Sequence, residues 1–162
     1  MLTPEEQTRV RKKALMLLEY MDRTEKGLAE RLRRAGFESE AIEDAMLYVR
    51  AFGYVDDARY AENYIFERIK TRSRARILRE LAEKGVDRET AAAAWDSVAE
   101  MLQPDEMQLL RDTIAGKYPP GTKLDEKEMR RLQSFLVRRG FSYGDIQRAL
   151  SQMQISGRFL QD

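Results

Sequence analysis

The chain contains no cysteine and no histidine among its 162 residues. Without cysteine there is no disulfide bond and no thiolate metal site. The missing histidine removes the commonest general base and metal ligand, and the missing cysteine removes the most reactive nucleophile. A catalytic site would have to use carboxylates, lysines or serines alone. The composition therefore predicts a protein that is not an enzyme and that binds no cofactor and no metal ion.

Long apolar stretches and glycine-rich phosphate loops are also missing. No apolar run approaches the roughly 20 residues that cross a bilayer. The opening MLTPEEQTRVRKK has no apolar segment of the kind found in signal peptides. Neither GxxxxGK[ST] nor GxGxxG occurs. We therefore expect a cytoplasmic protein that has no membrane contact and no small-molecule substrate.

Proline is scarce, and it is concentrated in one place. Two of the four prolines lie in GKYPPGTK (116–123), where neither they nor the following glycine can continue a helix. This is the one clear loop in the sequence. No stretch alternates between apolar and polar residues for long enough to indicate a strand. The sequence thus predicts an all-α protein with no sheet.

Three segments of equal length share one pattern. They are LAERLRRAGFESEAIEDAM (28–46), ILRELAEKGVDRETAAAAW (77–95) and LQSFLVRRGFSYGDIQRAL (132–150). Aligned on Gly36, Gly85 and Gly140, they place apolar residues at the same five positions. These positions lie eight and four before the glycine, and one, nine and ten after it. Repetition at a period of roughly 50 residues indicates an array of small supersecondary units.

Each segment reads as a helix, a tight turn and a second helix. The apolar residues before the glycine are spaced four apart, and glycine just past a helix is the usual left-handed cap. Asp87 and Ser142 are good caps for the helix that follows, and Ser142 with Asp145 has the form of a capping box. Glu38 stands at that place in the first segment and is a poor cap, so Ser39 is the alternative.

A further helix precedes each segment, because apolar stripes at helical spacing occur around residues 10–21, 61–69 and 107–114. Asp56 or Asp57 caps the second of these helices. The sequence therefore predicts three tandem three-helix repeats, at residues 7–52, 53–102 and 103–156. The aromatic residues at or near these stripes are expected to pack inside the fold. They are Tyr20, Phe37, Tyr48, Phe52, Tyr54, Tyr60, Tyr64, Trp95 and Phe141.

The net charge is only +1, but its distribution is uneven. Residues 68–84 hold seven basic and two acidic side chains, an excess of five. Residues 123–139 hold six basic and three acidic side chains, and residues 23–34 hold five basic and two acidic ones. The candidate binding residues are Arg68, Lys70, Arg72, Arg74, Arg76, Arg79 and Lys84, then Arg130, Arg131, Arg138 and Arg139, then Arg31, Arg33 and Arg34.

Solvated helix faces with intrahelical ion pairs are the alternative explanation of these clusters. For the clusters at residues 123–139 and 23–34, a solvated face and a binding role explain the charges equally well. In the first cluster the arginines outnumber the glutamates that could neutralise them, which favours a binding role. Arg76 and Arg79 lie opposite the apolar side of their helix, so we expect them to face solvent or a partner. Ser73 is the expected cap of that helix.

Three stretches together resemble the RecX family, bacterial modulators of the RecA recombinase. They are GYVDDARYAENYIFER (53–68), RILRELAEKGV (76–86) and FLVRRGFSYGDIQRAL (135–150), and ALMLLEYMDRTEKGLAERLRRAGF (14–37) resembles the family's N-terminal motif. The resemblance covers residues 10–152. One departure is Ser73, where the family usually carries glycine.

The resemblance implies an elongated, curved array of three-helix units. It also implies binding to the RecA filament, with inhibition of its ATPase, strand-exchange and coprotease activities, and roles in DNA repair, DNA recombination and the SOS response. Weak, non-specific binding to single- or double-stranded DNA is a further implication. The basic clusters would then meet acidic RecA surface or DNA phosphate.

Two other functions fit the sequence less well. A helix-turn-helix DNA-binding regulator would place the helix after each glycine in the major groove. In the first two repeats these helices are acidic, and phosphate would repel them. A nuclease with carboxylate-bound metal would need a cluster of acidic residues, which the sequence does not offer.

Overall fold

The structure, a computed structural model, describes residues 1–157. Within this range the helices are α1 (Pro4–Tyr20), α2 (Glu25–Arg34), α3 (Ser39–Ala51), α4 (Asp57–Arg68), α5 (Arg74–Glu83), α6 (Arg88–Leu102), α7 (Glu106–Ala115), α8 (Glu126–Arg138) and α9 (Tyr143–Gln152). Their order gives three successive sets of three helices. The predicted all-α class with three tandem three-helix repeats is confirmed. None of the helices in this range is long and apolar enough to cross a membrane.

A small sheet is the one departure from the predicted class. Strands β1 (Lys123–Leu124) and β2 (Ser156–Gly157) pair in parallel, with Lys123 opposite Ser156. The pairing follows from the predicted proline loop, in which Gly121 turns the chain at φ +83° and its N–H donates to the Met153 carbonyl at 2.8 Å. The loop thereby satisfies its backbone polar groups against the end of α9, so the prediction of no sheet is wrong there.

The helix ends follow the local sequence signals. Gly36, Gly85 and Gly140 all lie in the left-handed region, at φ +96°, +96° and +99°, as predicted for glycine caps. Asp87 accepts a hydrogen bond from the Thr90 N–H at 2.8 Å, and Ser142 accepts one from the Asp145 N–H at 3.2 Å. Both residues are therefore caps, as predicted.

The entries to α3 and α4 are less regular. Glu38 holds the cap position of α3 in an extended conformation without a side-chain bond, and Ser39 is already helical. The suggestion that Ser39 caps this helix is therefore wrong. Asp56 caps α4 by accepting from the Arg59 N–H at 3.2 Å. Asp57 instead accepts from the Glu25 N–H at 2.9 Å, and its burial raises the pKa of this carboxyl.

The repeated apolar positions form the core. The aliphatic residues eight and four before each glycine are 0–2% exposed; they are Leu28, Leu32, Ile77, Leu81, Leu132 and Leu136. The positions after each glycine are buried as well, except that Phe37 is only half-buried. Buried side chains of α1–α3 form one cluster with Val55, and those of α7–α9 form another with Leu124 and Ile155.

The chain contacts define two compact units. The first unit contains Met1–Phe66 and Glu80–Glu100, and the second contains Glu67–Arg79 and, of the described residues, 101–157. The divisions fall inside α4, α5 and α6. The predicted repeat boundaries at residues 52/53 and 102/103 stay a prediction.

A buried threonine helps to join two repeats within the first unit. Thr24, only 3% exposed, caps α2 because its hydroxyl oxygen accepts from the Gly27 N–H at 3.0 Å. The same hydroxyl donates to the carbonyl of Lys84, just past the end of α5, at 2.6 Å. Gly85 permits the close approach, since a Cβ at that position would lie 2.5 Å from the Lys26 side chain. We call this arrangement, a capping hydroxyl that bonds the carbonyl before a repeat glycine, a hydroxyl junction.

Truncation of the core leucine of the third repeat tests the packing. Leu136 is fully buried, so Leu136→Ala should lower the free energy of unfolding by ~2–5 kcal/mol. The adjacent Val137 is 50% exposed, and Val137→Ala should change the free energy of unfolding by less than ~0.5 kcal/mol. Chemical denaturation monitored by circular dichroism measures both. Equal effects of the two substitutions would contradict the described packing.

Candidate interaction surface

The densest basic cluster begins in the turn between α4 and α5. The carbonyl of Arg68, the last residue of α4, accepts from the N–H groups of Thr71 and Arg72 at 2.9 Å each. This tight turn leaves Lys70 exposed and Arg72 half-buried. Arg68 is also half-buried, and its guanidinium lies 3.2 Å from the Glu67 carboxylate. Of these three basic residues, Lys70 is therefore the most exposed to solvent.

Ser73 forms the second hydroxyl junction, within the second unit. Its side chain is buried, and its oxygen accepts from the Arg76 N–H at 3.2 Å and so caps α5, as predicted. The hydroxyl also donates to the Arg139 carbonyl at 2.7 Å. This bond holds the start of α5 against the end of α8, because Arg139 immediately follows that helix.

The junction brings two of the predicted clusters together. Arg79 of α5 donates through Nη2 to the Arg138 carbonyl at 3.2 Å. The Arg139 guanidinium stacks over the ring of Phe135 at 4.6 Å, and the Lys117 ammonium lies 4.3 Å from the same ring centre. These contacts fix the cations without neutralising them. We call the resulting face the α5–α8 basic surface, and it consists of Lys70, Arg72, Arg74, Arg76, Arg79, Arg138 and Arg139.

One carboxylate lies at the edge of the α5–α8 basic surface. Glu106, in the first turn of α7, accepts a hydrogen bond from the Arg74 N–H at 3.2 Å. The bond satisfies a backbone donor at the start of α5, where helices leave such groups unpaired. The side chains of Arg74 and Glu106 are both exposed.

The remaining candidates lie elsewhere. Arg130 and Arg131 are exposed on α8 about two turns before Arg138, roughly 12 Å along the helix. Lys84 belongs to the first unit, where its ammonium lies 5.6 Å from the centre of the Tyr64 ring. Arg31, Arg33 and Arg34 form the exposed last turn of α2, also in the first unit.

The expected exposure holds for Arg79 but not for Arg76, and the expected packing fails for several aromatic residues. Arg76 is half-buried, because it lies in the first turn of α5, where that helix meets the end of α8. Arg79 is exposed but bonds the end of α8, so it contributes to the fold as well as to the surface. Several aromatic residues expected to pack are instead exposed; Tyr20, Phe52 and Tyr54 are 82%, 64% and 46% exposed.

The hydroxyl junctions were missed at the sequence level, although a signal for them exists. Counted along the chain, Thr24 stands as far before Gly36 as Ser73 stands before Gly85. Both hydroxyl residues therefore occupy one repeat position. The third repeat breaks this register, because α8 is longer and its cap, Asp125, lies farther before Gly140.

Known proteins show the same organisation. Models of the first, second and third three-helix domains of RecX match residues 11–48, 56–94 and 104–150. The regulatory protein RecX of Amycolatopsis mediterranei is 35% identical over 147 residues, which cover 88% of this chain and 82% of that protein. The regulatory protein RecX of Stenotrophomonas maltophilia (strain R551-3) is 34% identical over 147 residues, which cover 90% of this chain and 87% of that protein.

The fold also matches solved structures. The crystal structure of RecX from Lactobacillus salivarius superposes with a TM-score of 0.73 at 22% identity, covering 93% of this chain and 98% of that one. A second crystal structure, of a regulatory protein RecX, gives a TM-score of 0.72 at 20% identity. At these identities the likeness supports the fold alone.

Alanine at two repeat glycines tests the second junction. Both Gly140→Ala and Gly36→Ala carry the cost of a left-handed alanine, roughly 1–2 kcal/mol. At Gly140 the new Cβ would also overlap the Ser73 hydroxyl and lie 2.9 Å from the Arg76 nitrogen, whereas at Gly36 it would meet no atom within 4 Å. Gly140→Ala should therefore destabilise the protein by at least ~1 kcal/mol more, by thermal or chemical unfolding. A difference near zero would show that the junction does not form.

Proposed function

Because the chain belongs to the RecX family of regulatory proteins, we propose that it regulates the RecA recombinase by binding the RecA–DNA filament. Bound in this way, it inhibits the ATPase, strand-exchange and coprotease activities of the filament. The protein acts as a binding partner and performs no chemistry of its own. The observation that carries the proposal is the match of all three RecX three-helix domains, in order, along this chain.

The placement of charge on α5 supports a binding role. The first turn of a helix carries the positive end of its dipole, so basic side chains there are unfavourable by roughly 0.3–1 kcal/mol each. The first turn of α5 nevertheless holds Arg74 and Arg76 and no acidic residue. Helix stability does not account for this pattern. An anionic partner does, because acidic protein surface or phosphate would be attracted by both the side chains and the helix end.

The convergence of two helix ends strengthens this argument. The Ser73 junction places Arg138 and Arg139 beside the start of α5, so the α5–α8 basic surface gathers seven cationic residues. Charges of one sign on a surface raise the rate of association with an oppositely charged partner and set its orientation more than they set affinity. Binding across neighbouring protomers would then hinder filament growth and the cycling of the active state.

Charge reversal at the open part of this surface tests the proposal. Lys70→Glu with Arg74→Glu alters two exposed residues, and glutamate is favourable in the first turn of α5. The concentration that half-inhibits RecA ATPase on single-stranded DNA should rise about tenfold, equivalent to about 1.4 kcal/mol. The melting temperature should stay close to that of the parent, since exposed charges contribute under ~1 kcal/mol.

The matched control reverses two exposed basic residues outside the candidate set, Lys12 on α1 and Arg88 on α6. Lys12→Glu with Arg88→Glu makes the same change in net charge and should inhibit as the parent does. If the two double variants inhibit equally, the α5–α8 basic surface is only a solvated face. If the unaltered protein, added in substoichiometric amounts, leaves RecA ATPase unchanged, the proposed function itself is wrong.

DNA binding is a second, weaker activity of the proposed function. It should show no sequence preference, because the helices after the repeat glycines, which a helix-turn-helix protein would use for readout, are acidic in α3 and α6. If about four phosphates of duplex DNA are neutralised, a plot of log affinity against log salt should have a slope of about −4. Fluorescence anisotropy with labelled duplexes of two unrelated sequences measures both properties. A slope near zero, or strong preference for one sequence, would contradict this account.

A further inference from the structure

One aromatic ring in the second unit holds two cations that come from different parts of the chain. Phe135 of α8 is half-buried and packs against the core formed by α7–α9. The Lys117 ammonium, from the turn after α7, lies 4.3 Å from the ring centre. The Arg139 guanidinium, just past the end of α8, lies 4.6 Å from the same centre. Because both cations lie on one ring, they are no more than about 9 Å apart.

Carboxylates do not neutralise these charges. Lys117, Arg138 and Arg139 are exposed, and none of them forms an ion pair with an aspartate or glutamate in the part of the chain that the structure describes. Arg50 of the first unit is exposed as well, yet it is paired with Glu25 at 2.6 Å. The cations around the Phe135 ring therefore keep their full charge toward solvent.

Helix dipoles explain part of this arrangement. Lys117 follows α7 and Arg139 follows α8, and cations are favourable at the negative end of a helix. The last carbonyls of α8 have other partners, however, because Arg138 accepts from the Arg79 side chain and Arg139 accepts from Ser73. A dipole also favours one cation at each helix end, without a reason for two of them to gather at one ring, where like charges repel.

The density of positive charge fits a nucleic-acid backbone. Each strand of duplex DNA carries one negative charge per roughly 3.4 Å of helix axis. A strand that crosses this surface therefore places more than one phosphate within reach of two cations about 9 Å apart. The planar guanidinium of arginine can form two parallel hydrogen bonds to one phosphate, while lysine acts as a point charge. Acidic protein surface rarely presents unpaired charges at such close intervals.

We propose that Lys117, Arg138 and Arg139 bind phosphates of a DNA strand, and that Phe135 is a positioning residue that holds two of these cations in place. The inference rests on the proposed function and deepens it, because it assigns the DNA of the RecA–DNA filament to this part of the α5–α8 basic surface. Lys117 lies outside the three basic clusters found in the sequence, and only the contact with Phe135 connects it to that surface.

Removal of single charges tests the phosphate contacts. Lys117→Gln and Lys127→Gln each remove one exposed lysine of the second unit, and Lys127 lies roughly 16 Å along α8 from Arg138. Fluorescence anisotropy with a labelled oligothymidylate, in the absence of RecA, measures affinity over a range of salt concentrations. Each phosphate contact on single-stranded DNA contributes about −0.7 to the slope of log affinity against log salt. Lys117→Gln should therefore reduce the slope by about 0.7, while Lys127→Gln should leave it unchanged.

Substitution of the ring tests the positioning role at constant net charge. Phe135→Leu keeps an apolar side chain but removes the aromatic face, whereas Phe135→Tyr keeps it. Phe135→Leu should weaken oligothymidylate binding roughly two- to fivefold, which matches the strength of cation–π contacts at exposed sites, and Phe135→Tyr should bind as the parent does. Binding is measured well below the melting temperature of each variant. If Phe135→Leu lowers the melting temperature without weakening binding, the role of Phe135 is only structural and the positioning claim is wrong.

The phosphate site and the proposed function fail in different ways. If Lys117→Gln and Lys127→Gln change the slope equally, or if the slope of the parent is near zero, the phosphate site is wrong. If Lys117→Gln binds oligothymidylate as the parent does but inhibits RecA ATPase less, the cations meet acidic protein surface, and the assignment to DNA is overturned. If both lysine variants behave as expected but the parent does not inhibit RecA, the proposed function fails and the phosphate site stands.

Discussion

One buried hydroxyl at the start of a middle helix satisfies two helices at once. A helix begins with unpaired N–H groups and ends with unpaired carbonyls. Serine and threonine can accept at the first and donate to the second, which neither aspartate nor an aliphatic residue can do. Thr24 and Ser73 use both capacities, with donor distances of 2.6 and 2.7 Å to the next repeat. The glycine at each junction is needed for two reasons: its backbone is left-handed, and it has no side chain.

The charged surface depends on this contact. The Ser73 bond to the Arg139 carbonyl and the Arg79 bond to the Arg138 carbonyl hold the end of α8 beside α5. Two segments that are distant in sequence, 70–79 and 138–139, therefore form one basic face. The cations of Arg139 and Lys117 rest on the Phe135 ring, which holds them in place while leaving their charge available. A bond between two helix ends therefore organises the basic surface.

Much of the fold could be predicted from periodicity alone, since five apolar positions and one glycine recur in each repeat. Those signals are local, and burial of Leu32, Leu81 and Leu136 follows from helical spacing. The contacts between repeats could not be predicted in the same way. A repeat pattern tells which residues are equivalent, but not which neighbour each one touches. Ser73 was identified as a cap, yet its second bond, to Arg139, involves a residue 66 positions away.

The candidate site shows the same division between local and distant information. The dense cluster around residues 68–79 was evident from composition, whereas its union with Arg138 and Arg139 was not. Helical phase placed Arg76 on the solvent side, but the neighbouring helix end partly covers it. Phe52 and Tyr54 were expected to be buried because they lie near an apolar stripe. They stack on each other at 6.0 Å on the exposed end of α3 instead.

The most direct test of the hydroxyl junction is a double-mutant cycle between Ser73 and Gly140. Ser73→Ala removes the bond to Arg139 and also removes the oxygen that a Cβ at residue 140 would overlap. Gly140→Ala should therefore lower the free energy of unfolding less in the Ser73→Ala background than in the parent, by at least ~1 kcal/mol, as is common for residues in contact. If the two substitutions are additive within ~0.3 kcal/mol, the two residues are not in contact and the junction described here does not exist.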